Sequence, residues 1–274
     1  MKRLMALLLA GVLLVPALCG CTQKKYEPYT VLEAGSEELK AVYTYANEED
    51  YTAPEQMTVK VNGKKYTGAF DDKYGSGNDV MLVYEGEDCR FTVSAVSGEL
   101  LHFFRRGLPK TTKEISNKEA RKIADSIAGD YIYIRDYEIT VDKSSNRFTY
   151  TRYISGYPTT EELEINLRED GELESIELND IGMFGRVESV NIDQDELDDA
   201  LDRKLNELAE RDAPEDEPDI EIKSSSYQRL LLLENGQIAY YGEHIISTKT
   251  WHDHYFLYVI VEHQKKVTPT VEFN

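Results

Sequence analysis

The sequence predicts an α+β protein in which antiparallel sheets each pack on a single amphipathic helix, in repeated units. Short runs that alternate apolar and polar residues recur from Met57 to Val261. Only two segments carry a helical apolar stripe with clear caps, at Asn117–Ala128 and Gln194–Glu210. The order of elements also repeats. Ser97-Gly98-Glu99-Leu100 closes a hairpin shortly before the first capped helix, and Asp170-Gly171-Glu172-Leu173 does so before the second. Glu234-Asn235-Gly236-Gln237-Ile238 is a third, looser copy. A lone amphipathic helix must bury its stripe against another element, and runs of strands broken by single helices argue against a parallel α/β sheet.

Met57-Thr58-Val59-Lys60-Val61 alternates, and Asn62-Gly63 follows. Asn-Gly between alternating runs signals a two-residue hairpin, because both turn positions need positive φ. Asp71–Asp79 reads as a Gly/Asp/Asn loop, followed by strands over Val80–Tyr84, Arg90–Val96 and Glu99–Phe104. Ser116 and Glu119 form a capping box for the first helix, whose stripe is Ala120, Ile123, Ala124, Ile127 and Ala128. Gly129 supplies its stop. Strands are expected at Tyr137–Val141, Arg147–Ile154, Glu162–Leu167 and Leu173–Leu178. Asp193 caps the second helix, and Leu197, Ala200, Leu201, Leu205 and Leu208 line it. Ala213–Pro218 reads as a solvated acidic loop, and strands return at Gln228–Leu233, Ile238–Ile246 and Tyr255–Val261.

The N-terminus has a different logic. Lys2 and Arg3 precede an uncharged run from Leu4 to Leu18, and Leu18-Cys19-Gly20-Cys21 closes it. This is the charged, apolar and small-residue order of a signal peptide, and it falls short of the roughly 20 apolar residues of a spanning helix. A cysteine straight after the small residue resembles the lipobox of bacterial lipoproteins. The resemblance implies cleavage before Cys21, lipidation of that residue, and a chain held on the extracytoplasmic face of a bacterial cell membrane. An ordinary secretory signal is the alternative.

The chain carries 51 acidic against 31 basic side chains, a net charge of −20 over 274 residues. Such a surface repels nucleic acid and anionic headgroups, so a membrane contact is expected through the lipid on Cys21 and not through a basic patch. With Cys21 acylated and the leader removed, Cys89 is the remaining thiol and no internal disulfide is expected. In the strand-like run Cys89–Val93, that thiol reads as a small buried apolar residue.

A second resemblance lies in the folded part. Ile115-Ser116-Asn117-Lys118-Glu119-Ala120, the helix after it, and Leu167-Arg168-Glu169-Asp170-Gly171-Glu172-Leu173 resemble the PepSY module, with its Ile-Ser-x-x-Glu-Ala helix start and late Gly-Glu-aliphatic hairpin. Phe91–Leu100 matches that hairpin in the preceding copy, and Arg152-Tyr153-Ile154-Ser155-Gly156-Tyr157-Pro158 resembles the Arg-Tyr-x-x-Gly-x-Pro edge of tandem-repeat surface members. The hairpin's usual Asp is Ala95 in one copy and Arg168 in the other. The resemblance covers about residues 57–178 and, loosely, 192–262. It implies a small antiparallel sheet wrapped on a helix, outside the cytoplasm, acting by binding and in some cases by inhibiting a peptidase; it carries over no catalytic residue. The expected division is a leader (1–20), a tether (21–52), a β-rich unit (53–110), a PepSY-like unit (111–190) and a divergent second one (191–274).

Candidate chemistry is sparse. His252 and His254 in Trp251-His252-Asp253-His254 would share one face of a strand and could hold Zn²⁺ or Cu²⁺; the competing reading is an exposed turn. Asp71–Asp79 offers oxygen ligands for Ca²⁺, but Lys73 sits among them and the closing Glu of an EF-hand is missing. No Gly-x-Ser-x-Gly, Ser-x-x-Lys or His-Glu-x-x-His occurs; Ser126 and Ser155 read as ordinary helix and turn residues. Tyr131, Tyr133, Tyr137, Tyr150, Tyr153 and Tyr157 cluster, either to stack on sugars or peptides or as half-buried strand residues. The expectation is a lipid-anchored, non-catalytic binding or regulatory module for a peptide or protein partner, with no cofactor. A cell-envelope hydrolase, or a ligand or metal receptor, is the alternative.

Overall fold

The protein is described from a computed structural model covering residues 29–42, 52–75, 80–111, 113–217, 219–233 and 235–265. The leader, Cys21 and residues 76–79 of the proposed Ca²⁺ loop lie outside the described residues.

A short strand, β1 (Val31–Glu33), and a short helix, α1 (Glu37–Val42), come first. Five strands follow, β2 (Gln56–Val61), β3 (Lys64–Tyr74), β4 (Met81–Glu85), β5 (Cys89–Ser94) and β6 (Leu100–Arg105). Asn62 and Gly63 take φ of 48° and 74° between β2 and β3, as a two-residue hairpin turn requires. Helix α2 (Asn117–Ala128) starts at the expected capping box, and a 3₁₀ turn (Ile134–Asp136) leads into β7 (Tyr137–Asp142). β8 (Arg147–Ile154), β9 (Tyr157–Leu167), β10 (Leu173–Asn179) and β11 (Val187–Asn191) precede α3 (Gln194–Asp212). The Asp193 side chain accepts from the Glu196 amide at the start of α3. β12 (Glu221–Leu232), β13 (Ile238–Ser247) and β14 (His252–Lys265) end the described chain.

The expected series of repeated antiparallel sheets, each on one helix, is not what the chain forms. The 14 described strands join into one large mixed sheet in the order β1-β14-β13-β12-β9-β10-β6-β5-β4-β3-β2, with β7, β8 and β11 branching from it. Two features account for the difference. β2–β6 contain no helix of their own and continue the sheet through β6 and β10, where Phe103 lies opposite Ile176. β9 begins at Tyr157, five residues ahead of the expected start, and so reaches β12, pairing in parallel at Thr159 and Leu230. Beside that junction Arg229 Nη1 donates to Glu162 Oε2 at 2.7 Å and to the Thr159 carbonyl at 3.3 Å. The residues expected to be a tether are partly built in. Val31–Glu33 pair with Val259–Leu257 of β14, and the Asp193 amide donates to the Tyr29 hydroxyl at 2.9 Å.

Two apolar clusters fill the interior. One gathers β2–β10 around Ala120, Ala124, Ile127 and Ala128 of α2, whose alanines let helix and sheet approach closely. The other gathers Ile154, Phe184 and β12–β14 around Leu197, Leu201, Leu205 and Leu208 of α3. Each such buried leucine contributes roughly 1.5–3 kcal/mol. Helix α3 thereby lies across the inner face of β12 and β13, and its polar edge overhangs that face.

Candidate functional site

The inward positions of β13 are Ile238, Tyr240, Gly242, His244 and Ile246, all buried. Two of them, Gly242 and His244, break an otherwise apolar or aromatic row. The neighbouring strand breaks at the same place: Ser224 pairs with His244 and Gln228 with Gly242, so three residues of β12 stand opposite one of β13. Such a bulge re-aims side chains. A cleft of about 280 Å³ opens there between α3 and the two strands. Its sheet side is Ser224, Gln228, Tyr240 and His244; its helix side is Gln194, Asp198, Leu201, Asp202 and Leu205.

The helix contributes these groups in two rows. Gln194, Asp198 and Asp202 repeat every four residues and so lie one above another on α3, with Leu201 and Leu205 on the adjoining, buried row. Tyr157 donates to Gln194 Oε1 at 3.0 Å, and Gln194 Nε2 donates to Asp198 Oδ1 at 2.7 Å, so the upper rim is held by a hydrogen-bond chain. On the sheet side the Tyr240 hydroxyl donates to Gln228 Oε1 at 2.7 Å. Burial, with Tyr157 and Asp198 nearby, pushes that phenol up to about 12, so it stays a neutral donor at physiological pH.

His244 is the centre of the site. Its relative exposure is 1%, its Nδ1 lies 2.9 Å from the Ser224 hydroxyl, and its Nε2 is buried with no hydrogen-bond partner in the protein. Burial lowers its pKa below 6.5 and so keeps the ring neutral near pH 7, against the opposing pull of the Asp202 charge. A Cβ added at Gly242 would stand 3.2 Å from Nε2 and 3.4 Å from Gln228 Cγ. The glycine therefore lets the ring lie close against the β13 backbone, where a side chain would crowd Nε2. A buried polar atom without a partner costs about 1–3 kcal/mol.

The residues singled out from the sequence are distributed otherwise. His252 and His254 both lie on β14 on one face, with ring centroids 6.2 Å apart, so Trp251-His252-Asp253-His254 is strand from His252 onward and not an exposed turn. His254 Nδ1 meets Glu243 Oε1 at 2.7 Å. Among the described residues no three His, Cys, Asp or Glu side chains converge to hold a metal. Asp71 and Asp72 stand in β3, where Asp71 approaches Arg90 at 3.7 Å. Ser155 Oγ accepts from the Val190 amide and Ser126 is an exposed helix residue. Cys89 is buried in β5, and burial, with Asp88 and Glu85 nearby, pushes its thiol up. Of the clustered tyrosines, Tyr150 donates to Asp125 at 2.8 Å and Tyr137 to Glu161 at 3.3 Å, the buried Tyr131 hydroxyl has no partner, and Tyr133 is the most open at 64% exposure. Glu161, fully buried, is satisfied by Arg152, Tyr137 and the Phe184 amide, so Arg152 of the Gly-Tyr-Pro edge is a structural residue.

Ser224, Gln228, Tyr240 and Gly242 escaped sequence reasoning. Parity over Ile238–Ile246 puts Gly242 and His244 on one face with Ile238, Tyr240 and Ile246, but Ala239, Tyr241 and Ile245 make the other face apolar too, so the sequence does not mark the buried side.

No protein family's sequence model matches the chain, and no curated protein matches it. Among solved structures, the C-terminal domain of YpeB from Bacillus megaterium is similar at a TM-score of 0.33 and 13% identity, over 85% of this chain and 99% of that one. That likeness is too slight to define fold or function. No helix among the described residues is long and apolar enough to cross a membrane.

Proposed function

We propose that the chain is a non-catalytic binding module, PepSY-like in descent, lipid-anchored through Cys21 on the extracytoplasmic face, and that the cleft beneath α3 receives a polar group of its ligand. The observation that carries the binding reading is His244: a buried residue that lines the cleft and whose buried Nε2 has no partner in the protein. Buried polar atoms in folded proteins are nearly always bonded, and here the ring lies against Gly242, where a Cβ would stand 3.2 Å from Nε2. The leader and its Cys21 support the location, and the Ile115–Ala120 helix start supports the PepSY-like descent. The test is ring-labelled histidine NMR on the full chain in detergent, screened against a mixed library of small amines, alcohols, acids and short peptides. Saturable movement of the His244 ring signals, abolished by Gly242→Ala, is the expected result. A library that leaves them still overturns the reading.

One observation favours a hydrolase instead. Ser224 is exposed and its Oγ lies 2.9 Å from Nδ1 of a neutral histidine, the arrangement of a nucleophile beside its base. No carboxylate bonds the other ring nitrogen to orient it, which is why binding is the reading preferred. Labelling of Ser224 by a fluorophosphonate, lost in His244→Gln, would establish the hydrolase.

A further inference from the structure

We infer that the chain has a second binding site, for a phosphate group carrying an apolar substituent, in the cleft where the end of β6 meets the β9–β10 hairpin. The cleft has a volume of about 490 Å³, and Arg105, Arg106, Lys110 and Arg168 line it with a single acid, Glu174. The chain has a net charge of −20, so four cations facing one space run against its general trend. Arg168 also stands where the resembled hairpin usually carries Asp. The chain bends into this place at Gly107, with φ of 62° just past β6, and Leu108–Lys110 line the same cleft as Phe104 of the strand.

The three guanidinium groups are held from outside the cleft. Arg105 Nη1 donates to Glu172 Oε2 at 3.1 Å and its Nη2 approaches Asp88 at 3.8 Å. Arg168 Nη2 donates to Asp170 Oδ2 at 3.2 Å, and Arg106 Nη1 to Glu85. None of these carboxylates lines the cleft. A guanidinium has five N–H donors, so each arginine keeps donors for a ligand while its side chain is already ordered. Lys110 is exposed and makes no hydrogen bond or ion pair among the described residues. Acids elsewhere on the surface are screened beyond about 8 Å at 0.15 M salt. Two features then select the ligand. A phosphate monoester carries about −1.5 to −2 charge at pH 7 and three acceptor oxygens that several cations can share, whereas a carboxylate has one charge and two oxygens. Beside the cations Phe104 is 38% exposed and Leu108 is half-buried, a surface for an apolar substituent to cover.

The experiment is calorimetric titration of the full chain in detergent with phenyl phosphate, inorganic phosphate, benzoate and benzylammonium. Phenyl phosphate should bind one to one, with inorganic phosphate and benzoate each at least tenfold weaker. Benzylammonium, which the chain's overall charge favours, should be silent. Lys110→Glu should weaken phenyl phosphate at least tenfold and leave the urea midpoint at the wild-type value, because Lys110 has no partner to lose. Phe104→Ala should bring phenyl phosphate down toward inorganic phosphate and leave inorganic phosphate unchanged. Glycerol phosphate and dihexanoyl phosphatidic acid separate the sources. Tighter binding of the lipid assigns the site to a headgroup, equal binding assigns it to a soluble phosphate ester, and either supports the phosphate chemistry. Benzoate binding as tightly as phenyl phosphate overturns the inference. So does silence toward every phosphate, and so does phenyl phosphate binding that Lys110→Glu leaves unchanged. None of these outcomes bears on the cleft beneath α3, which the His244 ring signals decide separately.

Discussion

Arg152 Nη1 and Glu161 Oε2 meet at 2.8 Å, with the glutamate side chain fully buried and the arginine 15% exposed. Arg152 Nη2 also reaches the carbonyls of Gly185 and Val187 at 3.3 Å, and Glu161 Oε1 accepts from the Phe184 amide at 3.1 Å. The pair therefore pins the Phe184–Val187 loop to β8 and β9. Removing one partner of a buried pair leaves an uncompensated charge and costs about 3–5 kcal/mol. Arg152→Met should lower unfolding stability by that order in urea titration. Arg152→Met combined with Glu161→Leu should recover a large part of the loss, since apolar replacement of both partners removes the stranded charge.

His244 makes stability pH-dependent. Its pKa in the folded protein lies below the ordinary 6.5 because burial disfavours the charged ring. The unfolded chain then binds a proton that the folded protein refuses, so the stabilisation is complete above about pH 6.5 and falls as pH drops from there toward the folded value. The difference in unfolding free energy between wild type and His244→Leu, measured from pH 8 to 5, should shift against the wild type over that window. A constant difference would show that the ring charges as readily folded as unfolded.

Gly171 tests the turn against the helix it touches. Its φ is +85°, and an added Cβ would stand 2.7 Å from Ile115 Cδ1 and 2.9 Å from Ile123 Cδ1. Gly63 has φ +74° with nothing within 4 Å of its Cβ position. Left-handed backbone costs a non-glycine residue about 1–2 kcal/mol. Gly63→Ala should cost that amount, and Gly171→Ala more, because the methyl group also displaces the α2 contact. Equal losses in urea denaturation would mean that the isoleucines yield freely.

Cys89 should be inert in the folded protein. It is 1% exposed, and its thiol is pushed up by burial and by Asp88 and Glu85. Iodoacetamide is expected to modify Cys89 only after guanidinium unfolding, read by peptide mass spectrometry. Modification under native conditions would reveal local opening of β5.

The lipid proposal has its own measurement. Cys21→Ala should move the protein from the membrane fraction to the soluble fraction, and the wild-type N-terminal peptide should carry acyl mass at Cys21.

Local chemistry made much of the fold legible. Ser116 with Glu119, Asp193 with Glu196, and Asn62-Gly63 each specify their caps or turn through atoms close in sequence, and each forms as expected. What was not legible depends on partners far apart. β1 and β11 are short strands that exist by pairing with β14. The parallel step at Thr159 and Leu230, which merges the expected units into one sheet, has no signature in either segment. The site divides in the same way. Alternation along β13 puts Gly242 and His244 on one face, whereas the Ser224 contact depends on a bulge in β12 that no local residue announces.

The anchoring of Tyr29 and Val31 to the body has a consequence for reach. Only the stretch from Cys21 to Tyr29 would separate a lipid from the folded domain, a leash of about 30 Å at full extension. Because Tyr29 is fastened at the start of α3, the helix that overhangs the cleft, the site would be confined to a thin shell of space above the bilayer. It would then search in two dimensions, meeting molecules that sit at the membrane surface far more often than those dissolved beyond it.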